Sequence, residues 1–237
     1  MNSVLFAITA LVSFTIQSIT GFGGSLLAMP IAMQVLGTAY ARFYVSLISF
    51  LSGFVVAVVN RKSVNAQKLV KIILLMTIGV LCGVTLEDKV EASFLERIYG
   101  VVIIAYAVFC IIKQGKVKQH SKIAEFIILL FAGIMHGLFA SGGAFLMLYA
   151  VNAFGSKEEF SATSCAVWAV INPIMITIQH ISGVQVLPSF TMIMICVGVA
   201  PVTALAAQRL QNKICNRLFI QIENVLLLCT GIIMLFP

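Results

Sequence analysis

Charge is what this chain has least of. Asp, Glu, Lys and Arg make up 10% of its 237 residues, against roughly 25% in an average soluble domain, too little polar surface to cover a water-soluble core. Acidic residues are scarcest, with eight Asp and Glu against 15 Lys and Arg. Glu223, between Gln221 and Asn224, is the one carboxylate well inside an apolar run. A cation or metal permease wants several intramembrane carboxylates or a His/Cys cluster, so that reading is disfavoured. The six cysteines, Cys82, Cys110, Cys165, Cys196, Cys215 and Cys229, stand singly in or beside apolar runs without CxxC spacing, as small buried hydrophobes do. No metal or other cofactor is expected. HExxH, paired Asp and a Ser/His/Asp set are missing too, so a membrane-embedded enzyme would have no acid/base pair and no metal ligands. The formal charge of +7 comes from cations in short connections between apolar runs, with no basic face or aromatic platform. They orient the chain in a bilayer, and no nucleic-acid partner is expected. Nothing basic precedes the first apolar run except the amino terminus, and no small-residue cleavage site follows it, so the run is expected to stay in the protein.

What is there is hydrophobic: 61% of residues, with a mean hydropathy of +1.09. That composition predicts an all-α integral membrane protein whose partners include the lipid bilayer, since helices satisfy their own backbone groups in hydrocarbon. Two of its apolar stretches are broken by glycine. GFGGSLLAMP, Gly21 to Pro30, interrupts the run from Val4 to Leu36, and HGLFASGGAFLMLY, His136 to Tyr149, does the same about 119 residues later. A break at such depth survives only where it is buried in protein or lines a cavity.

The runs between and after the breaks repeat in order. Phe43 to Val59, Leu69 to Leu86 and Ile98 to Ile112 follow the first break; Phe160 to Ile178, Val186 to Ala207 and Ile214 to Phe236 follow the second. Gly79 and Gly83, four apart, form a small-xxx-small packing face. The polar, basic stretch Lys113 to Lys122 divides the chain into a first repeat, 1–112, and a second, 123–237.

The cations choose the topology. If each broken segment crosses the membrane once, Arg61, Lys62, Lys68, Lys71, Lys113, Lys116, Lys118 and Lys122 oppose Arg42, Lys89, Arg97, Lys157, Arg209, Lys213 and Arg217, eight against seven. If each segment returns to the side it started from, the count becomes 12 against 3, with only Arg42, Lys89 and Arg97 outside. The positive-inside rule favours the second. The expected fold is therefore two inverted repeats, each a glycine-broken re-entrant helical hairpin plus three transmembrane helices. Basic loops are cytoplasmic and both termini lie outside.

In such a fold discontinuous helices of both halves meet at the midplane. A short helix starting after each glycine pair points unpaired N–H groups and a positive dipole end at that place, which suits an anion. The substrate-binding candidates are Gln17, Thr20, Gly21, Gly23, Gly24 and Ser25 at the first break and His136, Ser141, Gly142 and Gly143 at the second. Gln17 and His136 hold equivalent positions six residues before the paired glycines. Ser46 and Ser164 correspond at an offset of 118; Thr163 and Ser164 offer hydroxyls, Asn172 an amide, and Asn172-Pro173 is expected to unwind the helix facing the site. Glu223 is the candidate for proton coupling.

These two breaks, each followed by a small-rich helix, with Pro30 after the first and SATS, Ser161 to Ser164, after the second, resemble the sulfite exporter TauE/SafE family over the whole chain. The matching positions are Gly21, Gly23, Gly24 and Pro30, then Gly137, Gly142, Gly143, Ala162, Thr163 and Ser164. Ala140-Ser141 and Tyr149 depart from the family pattern, where a glycine and a proline are usual. The resemblance implies a bacterial inner-membrane permease, a secondary transporter and exporter of sulfite, a sulfonate or a related small oxyanion. Another small anion, such as a carboxylate or thiosulfate, is the alternative.

Overall fold

The computed structural model describes residues 2–87, 121–183 and 186–211 without a break, and isolated positions between 94 and 108 and between 221 and 235. Every regular element among the described residues is helical. The first half gives α1 (Asn2–Thr20), α2 (Gly24–Leu36), α3 (Thr38–Val59), a 3-10 turn (Arg61–Ser63) and α4 (Ala66–Glu87). The second gives α5 (Lys122–Phe139), α6 (Gly143–Ala153), α7 (Lys157–Ile181) and α8 (Phe190–Gln211). The runs Ile98 to Ile112 and Ile214 to Phe236 are described only at isolated positions, where Gly231 packs on Gly100 and Ile104. Most of the basic linker, Lys113 to His120, lies outside the described residues, as does Glu223.

Length separates the helices into two kinds. All but α2 and α6 are long and apolar enough to cross a bilayer. At 13 and 11 residues, α2 and α6 are too short for a hydrocarbon layer of about 30 Å at 1.5 Å per residue. The outward faces are apolar: Val4, Ile8 and Val12 on α1, Leu74 and Ile78 on α4, Phe126 and Phe131 on α5, and Val202 and Leu205 on α8 are exposed. In water such a surface would aggregate; in lipid it is the solvent-facing side.

Both short helices double back. Phe6, Phe14, Ala28, Met29, Ala32 and Tyr44 share one buried cluster, and the Phe6 ring stands 6.2 Å from that of Tyr44. The starts of α1 and α3 therefore lie at the same end of the molecule. Phe131 on α5 and Phe145 on α6 are 6.1 Å apart, whereas a helix continuing straight through the break would separate them by about 20 Å.

Polar contacts mark the two ends. At one, Lys68 pairs with Glu159 at 2.7 Å and Lys71 with Glu125 at 2.5 Å, joining the start of α4 to the starts of α7 and α5. Asn65 donates from its backbone to Thr163 Oγ1 and from its amide to Glu159 at 2.8 Å. At the other, the Ser189 N–H donates to the Tyr44 hydroxyl at 2.8 Å, tying the approach to α8 to the first turns of α3.

The halves interlock rather than stand side by side. α1 packs on α8 and α5 on α4; α3 packs on α8 and α7 on α4, with α3 and α7 pressed together in the centre. The closest approach is between α4 and α5, where Gly79 faces Gly133 and Gly83 faces Gly137. The Gly79/Gly83 spacing predicts such a face, and its partner is a second glycine pair four residues apart on α5. With no side chains between them the backbones reach van der Waals contact, the main source of helix association in lipid.

Candidate functional site

The first break owes its shape to glycine. Gly21 and Gly23 have φ of 87° and 90°, the left-handed region that a side chain disfavours. A Cβ on Gly21 would also stand 2.8 Å from the Ser161 Cα. Thr20 Oγ1 is spent on the turn itself, lying 2.7 Å from the Phe22 carbonyl oxygen and accepting from the Phe22 N–H at 3.3 Å. At the second break the left-handed residue is Ala140, with φ of 51°, the position 119 residues after Gly21. A Cβ on Gly142 would collide with the Ala132 carbonyl and the His136 Cβ.

The two breaks touch. Measured from where a Cβ would sit, Gly143 is 3.4 Å from Phe22 Cβ and 3.6 Å from the Gly23 nitrogen. The first helical hydrogen bonds run from Leu27 N to Gly23 O at 3.1 Å and from Leu146 N to Gly142 O at 3.2 Å. The N–H groups of residues 24–26 and 143–145 thus precede any helical acceptor. Neither helix start has a side-chain cap, so two positive dipole ends converge here.

A buried ring of polar side chains surrounds this meeting point. Ser49 Oγ accepts from Gln17 Nε2 at 2.9 Å and from Asn172 Nδ2 at 3.1 Å. The Trp168 indole N–H donates to the Gly21 carbonyl at 2.7 Å, and its ring stacks on His136 with centroids 5.4 Å apart. The Asn172 side chain lies within reach of His136. Ser18 Oγ, Ser46 Oγ, Ser164 Oγ, both His136 ring nitrogens and Asn172 Oδ1 are buried without a hydrogen-bond partner in the protein. Each such group costs about 1–3 kcal/mol unless water or a ligand meets it. Hydroxyls, an amide and an imidazole beside the first N–H groups of two helices make a donor-rich cradle for a small anion.

Of the residues singled out from the sequence, Gln17, Gly21, Gly23, Gly24, Ser25, His136, Ser141, Gly142, Gly143, Ser164 and Asn172 gather at the two breaks, with Thr20 shaping the first. Thr163 does not join them: its hydroxyl accepts from the Asn65 N–H at 3.0 Å, towards the end bearing the ion pairs. Gly137 packs against Val80 and Gly83. Two expectations are corrected. α7 is continuous from Lys157 to Ile181 through Pro173, because a proline removes only one helical hydrogen bond and α3 and α4 pack along the helix. Arg42, counted with the outer connections, is inside α3, 2% exposed, and donates from Nη1 to the Leu138 carbonyl at 3.3 Å.

Arg42 and Trp168 are the site residues that reading by runs missed. Both show in helical spacing: Arg42, Ser46, Ser49 and Gly53 fall on one face of α3, and Ser161, Ser164, Trp168 and Asn172 on one face of α7. Contacts across these faces come in matched pairs. Arg42 donates to the Leu138 carbonyl and Ser161 to the Ile19 carbonyl, each at 3.3 Å; the two donors are 119 residues apart, and so are the two acceptors. Ser49 meets Asn172 while Gly53 meets Trp168, again with partners 119 apart.

A protein-family model described as Sulfite exporter TauE/SafE matches residues 5–234 of the chain. No curated protein and no solved structure matches it.

Proposed function

We infer that this chain, which belongs to the sulfite exporter TauE/SafE family and is thus a multi-pass membrane transporter rather than an enzyme, exports sulfite or an organosulfonate as a secondary transporter. The anion binds where the two glycine breaks meet. The observation that carries this is the convergence of two uncapped helix starts on a ring of buried, unpartnered hydroxyl, amide and imidazole groups. Backbone N–H groups 24–26 and 143–145 would face the oxygens, and Ser18, Ser46, Ser164, His136 and Asn172 would complete the shell.

The topology that supports this reading is a pair of re-entrant hairpins in inverted repeats, 1–112 and 123–237. A broken segment that crossed once would put Phe6 and Tyr44 on opposite faces, and Lys68 and Glu159 likewise. Both pairs are in contact. The exchange of matched contacts, 42 to 138 and 161 to 19, is what a two-fold relation between halves produces. Two inverted halves around one site provide alternating access by rocking. The end closed by Lys68, Lys71, Asn65, Glu125 and Glu159 is the cytoplasmic one, by the placement of basic residues.

The test uses the protein's one tryptophan. Trp168 touches both breaks' surroundings, so excitation at the indole edge reports on the site alone. Purified protein is titrated with sulfite, thiosulfate, methanesulfonate and acetate, with chloride as control, and flux of each is followed in proteoliposomes with and without a pH gradient. A saturable emission change with sulfite or a sulfonate, and flux of the same anion, is expected. If none of the four anions changes the emission or crosses the membrane, the assignment is wrong.

A further inference from the structure

Hydroxyls on helices commonly bond a carbonyl one turn back, and Ser52 does so, its Oγ lying 2.8 Å from the Ile48 carbonyl oxygen. Ser49, three residues earlier on α3 and 2% exposed, does not. Its Oγ instead accepts from Gln17 Nε2 at 2.9 Å and from Asn172 Nδ2 at 3.1 Å. The Asn172 amide is fixed that way round, since the same Nδ2 lies 2.7 Å from the Trp168 carbonyl oxygen, which can only accept. A serine oxygen has two lone pairs and one proton. Both lone pairs of Ser49 are taken, and among the described residues no acceptor meets its proton.

The contacts of Ser49 join the two breaks. Gln17 lies under the start of α2, with its Cβ and Oε1 each 2.7 Å from where a Cβ on Gly24 would sit. Gly24 carries the first N–H of α2 that precedes any helical acceptor. Asn172 reaches towards His136, at the second break. The residue matched to Ser49 at an offset of 119 is Trp168, which meets His136 as Ser49 meets Gln17. The one donor of the Trp168 side chain is spent on the Gly21 carbonyl. Of this matched pair, Ser49 is the one with a donor to give. Ser46, three residues before it, also leaves a buried hydroxyl without a partner. Two hydrogen bonds onto the Ser49 oxygen polarise its O–H and strengthen it as a donor, most of all towards a charged acceptor.

We propose that Ser49 is a ligand of the transported anion, hydrogen-bonding its hydroxyl proton to an anion oxygen, with the Gln17 and Asn172 amides aiming that proton. This rests on the transport reading above.

The experiment compares wild type with Ser49→Ala and Ser52→Ala, measuring half-saturation by sulfite and by methanesulfonate from Trp168 emission and from proteoliposome flux. Loss of a hydrogen bond to a charged group predicts a half-saturation weaker by about tenfold or more in Ser49→Ala. Ser52→Ala, which gives up a bond made within α3 itself, should stay within threefold of wild type. A loss of less than fivefold in monodisperse Ser49→Ala overturns the proposal. An equal loss in Ser52→Ala marks a packing effect and overturns it too. Should Ser49→Ala not fold, Ser49→Cys decides at the same fivefold threshold, since a thiol fills nearly the same space and donates weakly. Wild-type protein that binds neither anion overturns both the transport reading and this one. Wild-type binding that survives the loss of the Ser49 hydroxyl overturns only the role of Ser49.

Discussion

Replacing Trp168 with Phe removes one hydrogen bond and part of one ring from the contact between the halves. The indole N–H reaches the Gly21 carbonyl at 2.7 Å, in a place where Trp168 is 3% exposed. Phe leaves that carbonyl buried and unpaired, which costs about 1–3 kcal/mol. The narrower ring gives up packing against His136 and Gly53, about 1 kcal/mol more. The sum is about 2–4 kcal/mol, and for a chain of this size each kcal/mol moves the melting temperature by about 2–4 °C. Trp168→Phe should therefore melt about 4–16 °C below wild type in the same detergent, by a label-free unfolding signal such as circular dichroism. Anion flux should fall as well, because the left-handed turn at Gly21 loses the donor that holds its carbonyl. Phe126→Leu, on the exposed face of α5, should leave both unchanged. A Trp168→Phe protein melting within about 2 °C of wild type, with normal flux, would refute the claim that this bond holds the first break in shape.

Other perturbations separate packing, topology and closure. A Cβ at Gly79 would run into the Leu130 carbonyl and Gly133, while one at Gly198, its counterpart 119 residues on, meets nothing within 4 Å. Gly79→Ala should lower the melting temperature and the yield of monodisperse protein; Gly198→Ala should match or exceed wild type by up to about 1 kcal/mol. Cysteines placed at Ser63 and Lys157 should label from one face of the membrane and those at Gly37 and Ser189 from the other; Ser63 and Lys157 labelling from opposite faces would rule out the hairpins. Glu159→Gln removes the partner of Lys68 and weakens that of Asn65. A partly exposed pair of this kind is worth about 0.5–1 kcal/mol, so thiol labelling at Thr163→Cys should rise about two- to fivefold, as a gel-shift assay would read.

The sequence could be read wherever one residue type carried the constraint. Paired glycines inside apolar runs locate the breaks, and α2 and α6 start at the second glycine of each pair. Hydropathy and run length locate the six long helices. Reading failed where the decisive fact is three-dimensional. Arg42 looks like a loop cation because it is five residues from Gly37, but α3 begins at Thr38, which places Arg42 in the helix's second turn, buried and bonded to the Leu138 carbonyl of α5. Pro173 looks like a helix breaker, yet α7 runs through it without a break, packed along α3 and α4. Thr163 looks like a neighbour of Ser164, but adjacent residues on a helix point about 100° apart, and its hydroxyl serves Asn65 instead.

The crossing of contacts between halves also sets an order of events during synthesis. The Ile19 carbonyl waits for Ser161 and the Gly21 carbonyl for Trp168, partners that lie 142 and 147 residues further along the chain. At about 5–20 residues per second, that is a delay of about 7–30 s. For that interval α1 and α2 are in or near the bilayer with a left-handed turn whose oxygens have no final donor, so they need water, lipid headgroups or the insertion machinery to meet them. α1 and α2, made well before their partners, are among the last helices to reach their final shape, and a nascent chain halted before residue 161 would still carry an unfinished first break.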